Sequence, residues 1–300
     1  MDQQEDEAVR APRNRVSQAP QDEAVQTPQN DPARLIVVTG GAGGGIGQGI
    51  SRALAVEGWS VVIADREEKE AIALADQLVA EGLSALGTYL DVVDESTVNT
   101  LFREFVPKNG KLCGLVNSAG VGLVKTLGDV STAEWDRIHT VNLRGAFLCA
   151  REAIAHFRTH GGGSIVNIGS VQAIAPEVGY STYSAAKTGM IGLTRGIAAD
   201  HGRENIRCNI IHPGLVDSPL NRQLIAQWGD PEAWIRNFAE SRQMLPSTIT
   251  PEEIGAAVAF LMSHKSRSIT GVELPIDGGN SIWQGLNAIN EEQANTGGTA

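Results

Sequence analysis

Seven short runs along the chain are apolar almost without a break: Leu35–Thr39, Ser60–Asp65, Ala85–Leu90, Leu112–Asn117, Ser164–Ile168, Ile206–Ile211 and Val272–Ile276. A strand with one wet face alternates apolar and polar residues, whereas a strand covered on both faces does not. The runs therefore read as strands buried on both sides. Between them lie longer stretches of helical periodicity. One, EEKEAIALADQLVAEG, is closed by Gly82 in a C-cap position. Another opens on Ser131-Thr132-Ala133-Glu134, a capping-box pattern. Alternation of this kind implies an α/β fold: a single domain over residues 34–279, with a doubly wound, seven-stranded parallel sheet and helices on both faces. Right-handed crossovers distribute the helices, and the ligand crevice is expected at the C-terminal ends of the strands.

The flanks differ in composition. Residues 1–33 are rich in Gln, Pro, Asp and Glu, with seven acidic side chains against three basic. They lack the apolar surface that would offset ordering entropy, so a disordered N-terminal tail is expected. Residues 280–300 read as a mostly irregular C-terminal tail in which Ile282 and Trp283 could dock. The formal net charge of −11 sits partly in these ends, and no basic stripe appears, so no nucleic-acid partner is expected. The N-terminus has no apolar run of the secretory type. No stretch of about 18 apolar residues occurs, so no membrane span is expected. Three cysteines, Cys113, Cys149 and Cys208, lie in apolar segments without a CxxC pair. They read as core filler in a reducing compartment, with the cytoplasm as the expected location.

The segment LIVVTGGAGGGIGQGISRALAVEGW is a strand, a glycine turn and a helix beginning near Ile46. Glycines let the backbone approach a pyrophosphate, and the free N–H groups and dipole of the following helix favour a phosphate. The strand before the loop and the helix after it distinguish this pattern from an ordinary tight turn and make the domain Rossmann-type. Asp65 ends the next strand, 18 residues after Gly47. A carboxylate there can accept hydrogen bonds from an adenosine ribose and repels a 2′-phosphate, so NAD is expected over NADP. The adjacent Arg66 could serve a 2′-phosphate instead. The plain alternative for Asp65 is a helix N-cap.

Several motifs in order then resemble the short-chain dehydrogenase/reductase family. They are Thr39-Gly40 with Gly45-Ile46-Gly47, Asn117-Ser118-Ala119-Gly120, Asn142 in VNLRG, Ser170 in NIGS, Tyr183-Ser184-Ala185-Ala186-Lys187, Pro213-Gly214 and Ile276-Asp277-Gly278-Gly279. The resemblance runs from about Leu35 to Gly279. It implies an oxidoreductase moving a hydride between NAD(H) and a secondary alcohol or ketone of sugar, polyol, cyclic alcohol, steroid or ketoacyl type. It also implies cofactor contacts by Gly40, Gly45, Ile46, Gly47, Asp65, Arg66, Asp91, Val92, Asn117, Ala119, Gly120, Tyr183, Lys187, Pro213, Gly214, Val216 and Ser218. Asp91 and Val92 would lie beside the adenine, and Ser218 near the nicotinamide carboxamide and the phosphates. The first loop departs from the family's TGxxxGxG: it holds one residue too many if Thr39 anchors the count. Either the loop bulges, or the register shifts and Gly41 takes the first glycine's place. Family members commonly pair through the helices holding Asn142 and Tyr183. Those helices carry small and apolar residues on more than one face, so a homotetramer is expected, with a homodimer second.

The chemistry needs a base for the hydroxyl proton. A free tyrosine titrates too high to serve near neutrality, but Tyr183 and Lys187 are four apart and share a helix face. A cation there is expected to favour the phenolate and to hydrogen-bond the cofactor ribose. Ser170, at a strand end, would hold the substrate oxygen. In family terms Asn142 fixes a water linking Lys187 to solvent. Gln172 and Tyr180 are candidate substrate contacts, in walls formed by Val121–Leu123, Val171–Pro176 and the chain after Leu215. The segment SPLNRQLIAQWGDPEAWIRNFAESRQML, with Trp228, Trp234 and Phe238, could be a lid. His156 and His160 have a zinc-compatible spacing but no partnering ligands, so no metal is expected. His212 reads as structural, with a substrate contact as the alternative. Two other functions stay open: a non-catalytic NAD-binding regulator, and a sugar-nucleotide epimerase or dehydratase. The latter usually needs a larger C-terminal domain than the 92 residues after Cys208.

Overall fold

The computed structural model describes residues 34–227 and 229–282. The expected N-terminal tail, Trp228, Trp283 and the rest of the C-terminal tail lie outside the described residues. The apolar runs form β1 (Arg34–Thr39), β2 (Ser60–Asp65), β3 (Ala85–Tyr89), β4 (Lys111–Asn117), β5 (Gly163–Ile168), β6 (Ile206–Pro213) and β7 (Glu273–Ile276). They pair in the order β3-β2-β1-β4-β5-β6-β7, every pair parallel. The helices are α1 (Ile46–Val56), α2 (Glu68–Ala80), α3 (Glu95–Thr100), α4 (Val106–Asn109), α5 (Thr132–His139), α6 (Gly145–His160), α7 (Ser181–His201), α8 (Pro219–Ile225), α9 (Pro231–Arg242) and α10 (Pro251–Met262). Gly82 follows α2 as expected, and Ser131 and Glu134 close a reciprocal capping box on α5.

Side chains alternate across a strand, and here both sets are apolar. Leu35 and Val37 of β1 enter one core with Phe102, Leu148, Phe157 and Ile197, under α3, α6 and α7. Ile36 and Val38 enter the other with Ile50, Leu54, Leu74, Leu78, Ile254 and Val258, from α1, α2 and α10. This two-sided burial is why the runs carry no polar alternation. Cys149 and Cys208 are buried in the first core, where desolvation pushes each thiol up to about 12. They are inert filler. No described helix is long and apolar enough to cross a membrane.

The sheet positions a site through its winding. From β1 the chain builds outward to β2 and β3, then returns to place β4 on the other side of β1. Thr39 and Asn117, the last residues of β1 and β4, are register partners at this reversal. In an open parallel sheet a reversal of this kind is where a ligand crevice is expected.

Candidate active site

The glycine loop shows how the extra residue fits. Thr39 anchors the count: its Oγ1 donates to the Val116 carbonyl and accepts from the Ser118 and Ala119 N–H groups, both at 3.2 Å. This hydroxyl ties the end of β1 to the end of β4, a role that no sequence signal beyond its strand-end position announces. Gly40 follows at φ 63, against the Ala119 backbone. The surplus residue forms a bulge, in which the Gly44 N–H donates to the Ala42 carbonyl at 2.6 Å and Gly44 takes φ 64. At Gly47 a Cβ would collide with the Gly40 carbonyl oxygen, so only glycine lets α1 start this close to the strand.

The start of α1 is open to a ligand. Its N-cap, Gly45, offers no side-chain hydrogen bond, and no acidic residue lies in the first turn. By contrast α5 and α10 each carry a full capping box. The first N–H groups of α1 thus keep their donors and positive dipole end for an anion. Gly43 has open space where a side chain would be, and Ser218 and Pro219 face Gly45 and Gly44 at about van der Waals range or slightly beyond. The buried Asn117 Oδ1 is left without a hydrogen-bond partner at the neighbouring strand end, while its Nδ2 donates to Asn167 Oδ1 at 2.8 Å. A cradle without side chains, an uncapped helix and an orphaned acceptor together fit a dinucleotide.

Around this cradle, Asp65 is buried. Its Oδ2 accepts from the Ala42 N–H at 3.0 Å and its Oδ1 from the Glu67 N–H at 3.1 Å. Asp65 is not the N-cap of α2, which is Glu67; its carboxylate instead ties the glycine loop to the chain after β2. Arg66 is exposed and lies 3.5 Å from Glu67. Asp91 Oδ1 accepts from the Val93 N–H, and Val92 is buried against Gly145. Gly214 donates to the Ile276 carbonyl, linking the chain after Pro213 to β7. Val216 is fully buried and bridges Ile249. Ser218 Oγ accepts from the Asn221 N–H at the start of α8.

Four residues expected to act together do converge. Tyr183, on the first turn of α7, lies within reach of Ser170, which follows β5, so that the Ser170 side chain acts on the phenol. One helical turn on, Lys187 lies with Nζ 5.6 Å from the Tyr183 ring centroid and donates to the Ile168 carbonyl at 2.8 Å. That backbone carbonyl has no side-chain signature, so sequence reasoning could not name it. Asn142 is buried in a π-helical turn, Thr140–Arg144, a distortion often found at functional sites. Its Nδ2 donates to the Ile138 and Val121 carbonyls at 2.9 Å, and its Oδ1 accepts from the Val121 N–H at 3.2 Å. Gly120 leaves no room for a side chain beside this amide.

The electrostatics correct one expectation. Lys187 was expected to draw the Tyr183 phenol below its ordinary value. Burial instead pushes Tyr183 up to about 12, with the Ser170 side chain opposing, and pushes Lys187 down to about 8. Both charged forms are disfavoured because water is excluded. The phenol is thereby held as a proton donor through the neutral range.

On the substrate side, the Gln172 amide is engaged within its own loop: Oε1 accepts from the Glu177 N–H at 2.8 Å. Tyr180 stands edge-on to Tyr183, with ring centroids 6.1 Å apart. The expected lid forms α8 and α9, with Trp234 stacked on Phe238. Arg242, at the end of α9, reaches Glu177 at 3.7 Å, so the two segments meet. Exposed apolar side chains flank that meeting: Ile174 and Val178 on one segment, Met244 and Leu245 on the other. His156 Nε2 lies 2.5 Å from the Phe102 carbonyl. No group of three or more His, Cys, Asp or Glu is placed to hold a metal among the described residues.

Comparison with known proteins agrees with this geometry. Residues 41–281 match the family model described as enoyl-(acyl carrier protein) reductase. The chain is similar to the cis-4-hydroxycyclohexanecarboxylate dehydrogenase of Sinomonas cyclohexanicum, 36% identical over 247 residues, covering 82% of this chain and 96% of that one. Among solved structures it is similar to a protein of Burkholderia xenovorans assigned as a short-chain dehydrogenase/reductase, with TM-score 0.78 and 31% identity over 84% of this chain and 97% of that one. It is also similar to a variant of actinorhodin polyketide ketoreductase solved with NADPH, with TM-score 0.78 and 26% identity over 84% and 98%.

Proposed function

The chain belongs to the short-chain dehydrogenase/reductase family, and on that premise we propose that it is an NAD-dependent oxidoreductase interconverting a secondary alcohol and its ketone, with Tyr183 as the acid/base. The observation that carries this reading is the convergence of Tyr183, Ser170 and Lys187 at the end of β5, beside an uncapped helix start behind a glycine cradle. The cradle would hold the pyrophosphate. When bound, NAD would supply the hydride acceptor. Ser170 Oγ holds the substrate oxygen, and Tyr183 takes the hydroxyl proton or returns it in the reductive direction. Lys187 orients the ribose and the phenol. Asn142 holds the Val121 segment over the site and supports proton exchange with solvent. The exposed apolar side chains flanking α9 and the loop after β5 favour a substrate with an apolar body.

NAD is preferred over NADP in this reading because Asp65 is held in place by two backbone N–H groups and cannot swing away from a 2′-phosphate. Arg66, paired with Glu67, is not aimed at that position by any contact. The test is kcat/KM for secondary alcohols with each cofactor. The wild type should favour NAD, and Asp65→Asn should narrow the ratio by about tenfold, equivalent to roughly 1.4 kcal/mol. A wild type preferring NADP overturns the cofactor assignment, and a wild type without turnover on any secondary alcohol or ketone overturns the activity.

The assembly proposed is a homotetramer. Phe147 stands 44% exposed on α6 with the Arg151 guanidinium over its ring, on one of the two helices through which the subunits would pair. Light scattering should give the mass of four chains. A monomer at micromolar concentration contradicts it.

A further inference from the structure

Beneath Ser170 lies a chain of charged and polar groups, running from a buried histidine out to an exposed arginine, that the proposed reaction does not use. His212, in β6, is fully buried. Its Nδ1 lies 3.2 Å from the Ser170 nitrogen and 3.0 Å from the Ser170 carbonyl oxygen. Its Nε2 lies 3.3 Å from Glu273 Oε2 of β7, close enough for attraction but not aligned as a hydrogen bond. Glu273 Oε1 in turn accepts from Arg195 Nη2 of α7 at 2.5 Å. The backbone is shaped around this imidazole. A Cβ at Gly169 would sit 2.5 Å from His212 Nδ1, so only glycine allows the chain entering Ser170 to lie on the ring.

The neighbours decide the tautomer. The full charge of the Glu273 carboxylate beside Nε2 outweighs the Ser170 carbonyl dipole beside Nδ1 and favours the hydrogen on Nε2. In the neutral ring Nδ1 is then bare, and it accepts from the Ser170 N–H. In the cation both nitrogens carry hydrogen, so Nδ1 repels the Ser170 N–H and donates to the Ser170 carbonyl instead. The charged groups bearing on the ring are Glu273, which favours the cation, and Lys187, which disfavours it; Arg195 neutralises Glu273. Burial outweighs them and holds His212 below its ordinary value.

We propose that His212 is a positioning residue for Ser170: as the neutral Nε2–H imidazole it holds the Ser170 N–H, and its protonation transfers the hold to the Ser170 carbonyl and rotates the hydroxyl away from Tyr183. The link to activity rests on the reading of Ser170 as the group that holds the substrate oxygen. The hold itself does not, and the two are tested separately.

The first measurement is on the full chain labelled with 15N, without substrate. Near neutral pH the His212 ring should show the Nε2–H tautomer, and the Ser170 amide resonance should titrate together with His212 on acidification. In Glu273→Gln both should move to lower pH, since the anion favouring the cation is gone. An Nδ1–H tautomer, a charged ring near neutrality, or a Ser170 amide indifferent to His212 overturns the proposal.

The second measurement is turnover of NAD with cyclohexanol, or with the first secondary alcohol that the wild type oxidises. His212→Leu should lower kcat by about tenfold or more, the scale expected when a reacting group is displaced by a fraction of an ångström, with NADH affinity within about twofold of wild type. His212→Asn places an amide oxygen where Nδ1 lies. It should recover most of kcat and lose the acid limb of the pH profile, which a merely structural histidine would not produce. Equal loss in both variants, or an acid limb unchanged in His212→Asn, overturns the positioning role. If the wild type oxidises no alcohol, the activity reading fails while the tautomer and the Ser170 coupling still decide the hold.

Discussion

Tyr183→Phe should lower turnover by about 100- to 10,000-fold, the range typical of a lost acid–base group, and should leave NAD binding and folding intact. The ring is retained, so its edge-on contact with Tyr180 survives. What disappears is the phenol on which the Ser170 side chain acts. No other titratable side chain that the structure brings to Ser170 can replace it. His212 lies beneath the backbone rather than beside the hydroxyl, and Lys187 is turned to the Ile168 carbonyl. Because burial holds the phenol up to about 12, the wild type should reduce ketones at a level rate through the neutral range, the donor being fully protonated. Oxidation needs the phenolate and should climb with pH across the alkaline range. Steady-state kinetics in both directions, with NAD affinity measured in parallel, decides the matter. A Tyr183→Phe variant that binds NAD and turns over at the wild-type rate excludes Tyr183 as the base and leaves only the fold assignment standing.

The parts of this architecture legible in sequence were those written in side-chain pattern. Strands such as Ser60–Asp65 are buried throughout, so their position could be read to within a residue or two, and the capping box at Ser131 and Glu134 named the start of α5. Tyr183 and Lys187 could be paired because helical spacing fixes their face. What escaped was written in backbone. The glycine loop allowed two registers, and the choice depends on which groups the Thr39 hydroxyl meets at the end of β4: the Val116 carbonyl, 77 residues away, and the Ser118 and Ala119 N–H groups just beyond. The partner of Lys187 is a main-chain carbonyl, and the π-helical turn around Asn142 leaves no compositional trace. The electrostatic error had the same origin. Spacing places a cation near a phenol, but the sign of the net shift depends on how much water the surrounding fold removes, and Lys187 is itself buried. His212 was visible as a residue before Pro213-Gly214, yet its relation to Ser170 crosses 42 positions.

Lys187→Met should make the chain more stable while removing its activity. The lysine is buried with one hydrogen bond, to Ile168, and no carboxylate beside it. Its value falls to about 8 from an ordinary 10.5. Below about 8 the ammonium is charged in folded and unfolded chains alike, and the folded state carries the full cost of burying it, about 3 kcal/mol at 1.36 kcal/mol per unit. Between about 8 and 10.5 the folded chain has released the proton and the unfolded chain still holds it, so this cost shrinks as pH rises. Above 10.5 it vanishes. Methionine removes the charge but leaves the Ile168 carbonyl without its donor, which costs roughly 1 kcal/mol. Near pH 7 the variant should therefore gain about 2 kcal/mol, or roughly 4–8 °C in Tm for a domain of this size. The gap should close as pH rises toward 10.5 and then reverse by the lost hydrogen bond. Comparing the variant with the wild type at each pH cancels the alkaline titrations of Cys149 and Cys208, while folded Tyr183, held up to about 12, keeps its proton across the window from 8 to 10.5. Turnover should fall by about 100-fold or more, with weaker NAD binding, because the ribose and the phenol lose their shared partner. A chain that keeps a lysine at such a cost is retaining it for chemistry rather than for folding. Denaturant melts that show the variant less stable than wild type near pH 7, or a gap that does not change with pH, would mean that Lys187 is a structural residue and that its place beside Tyr183 is incidental.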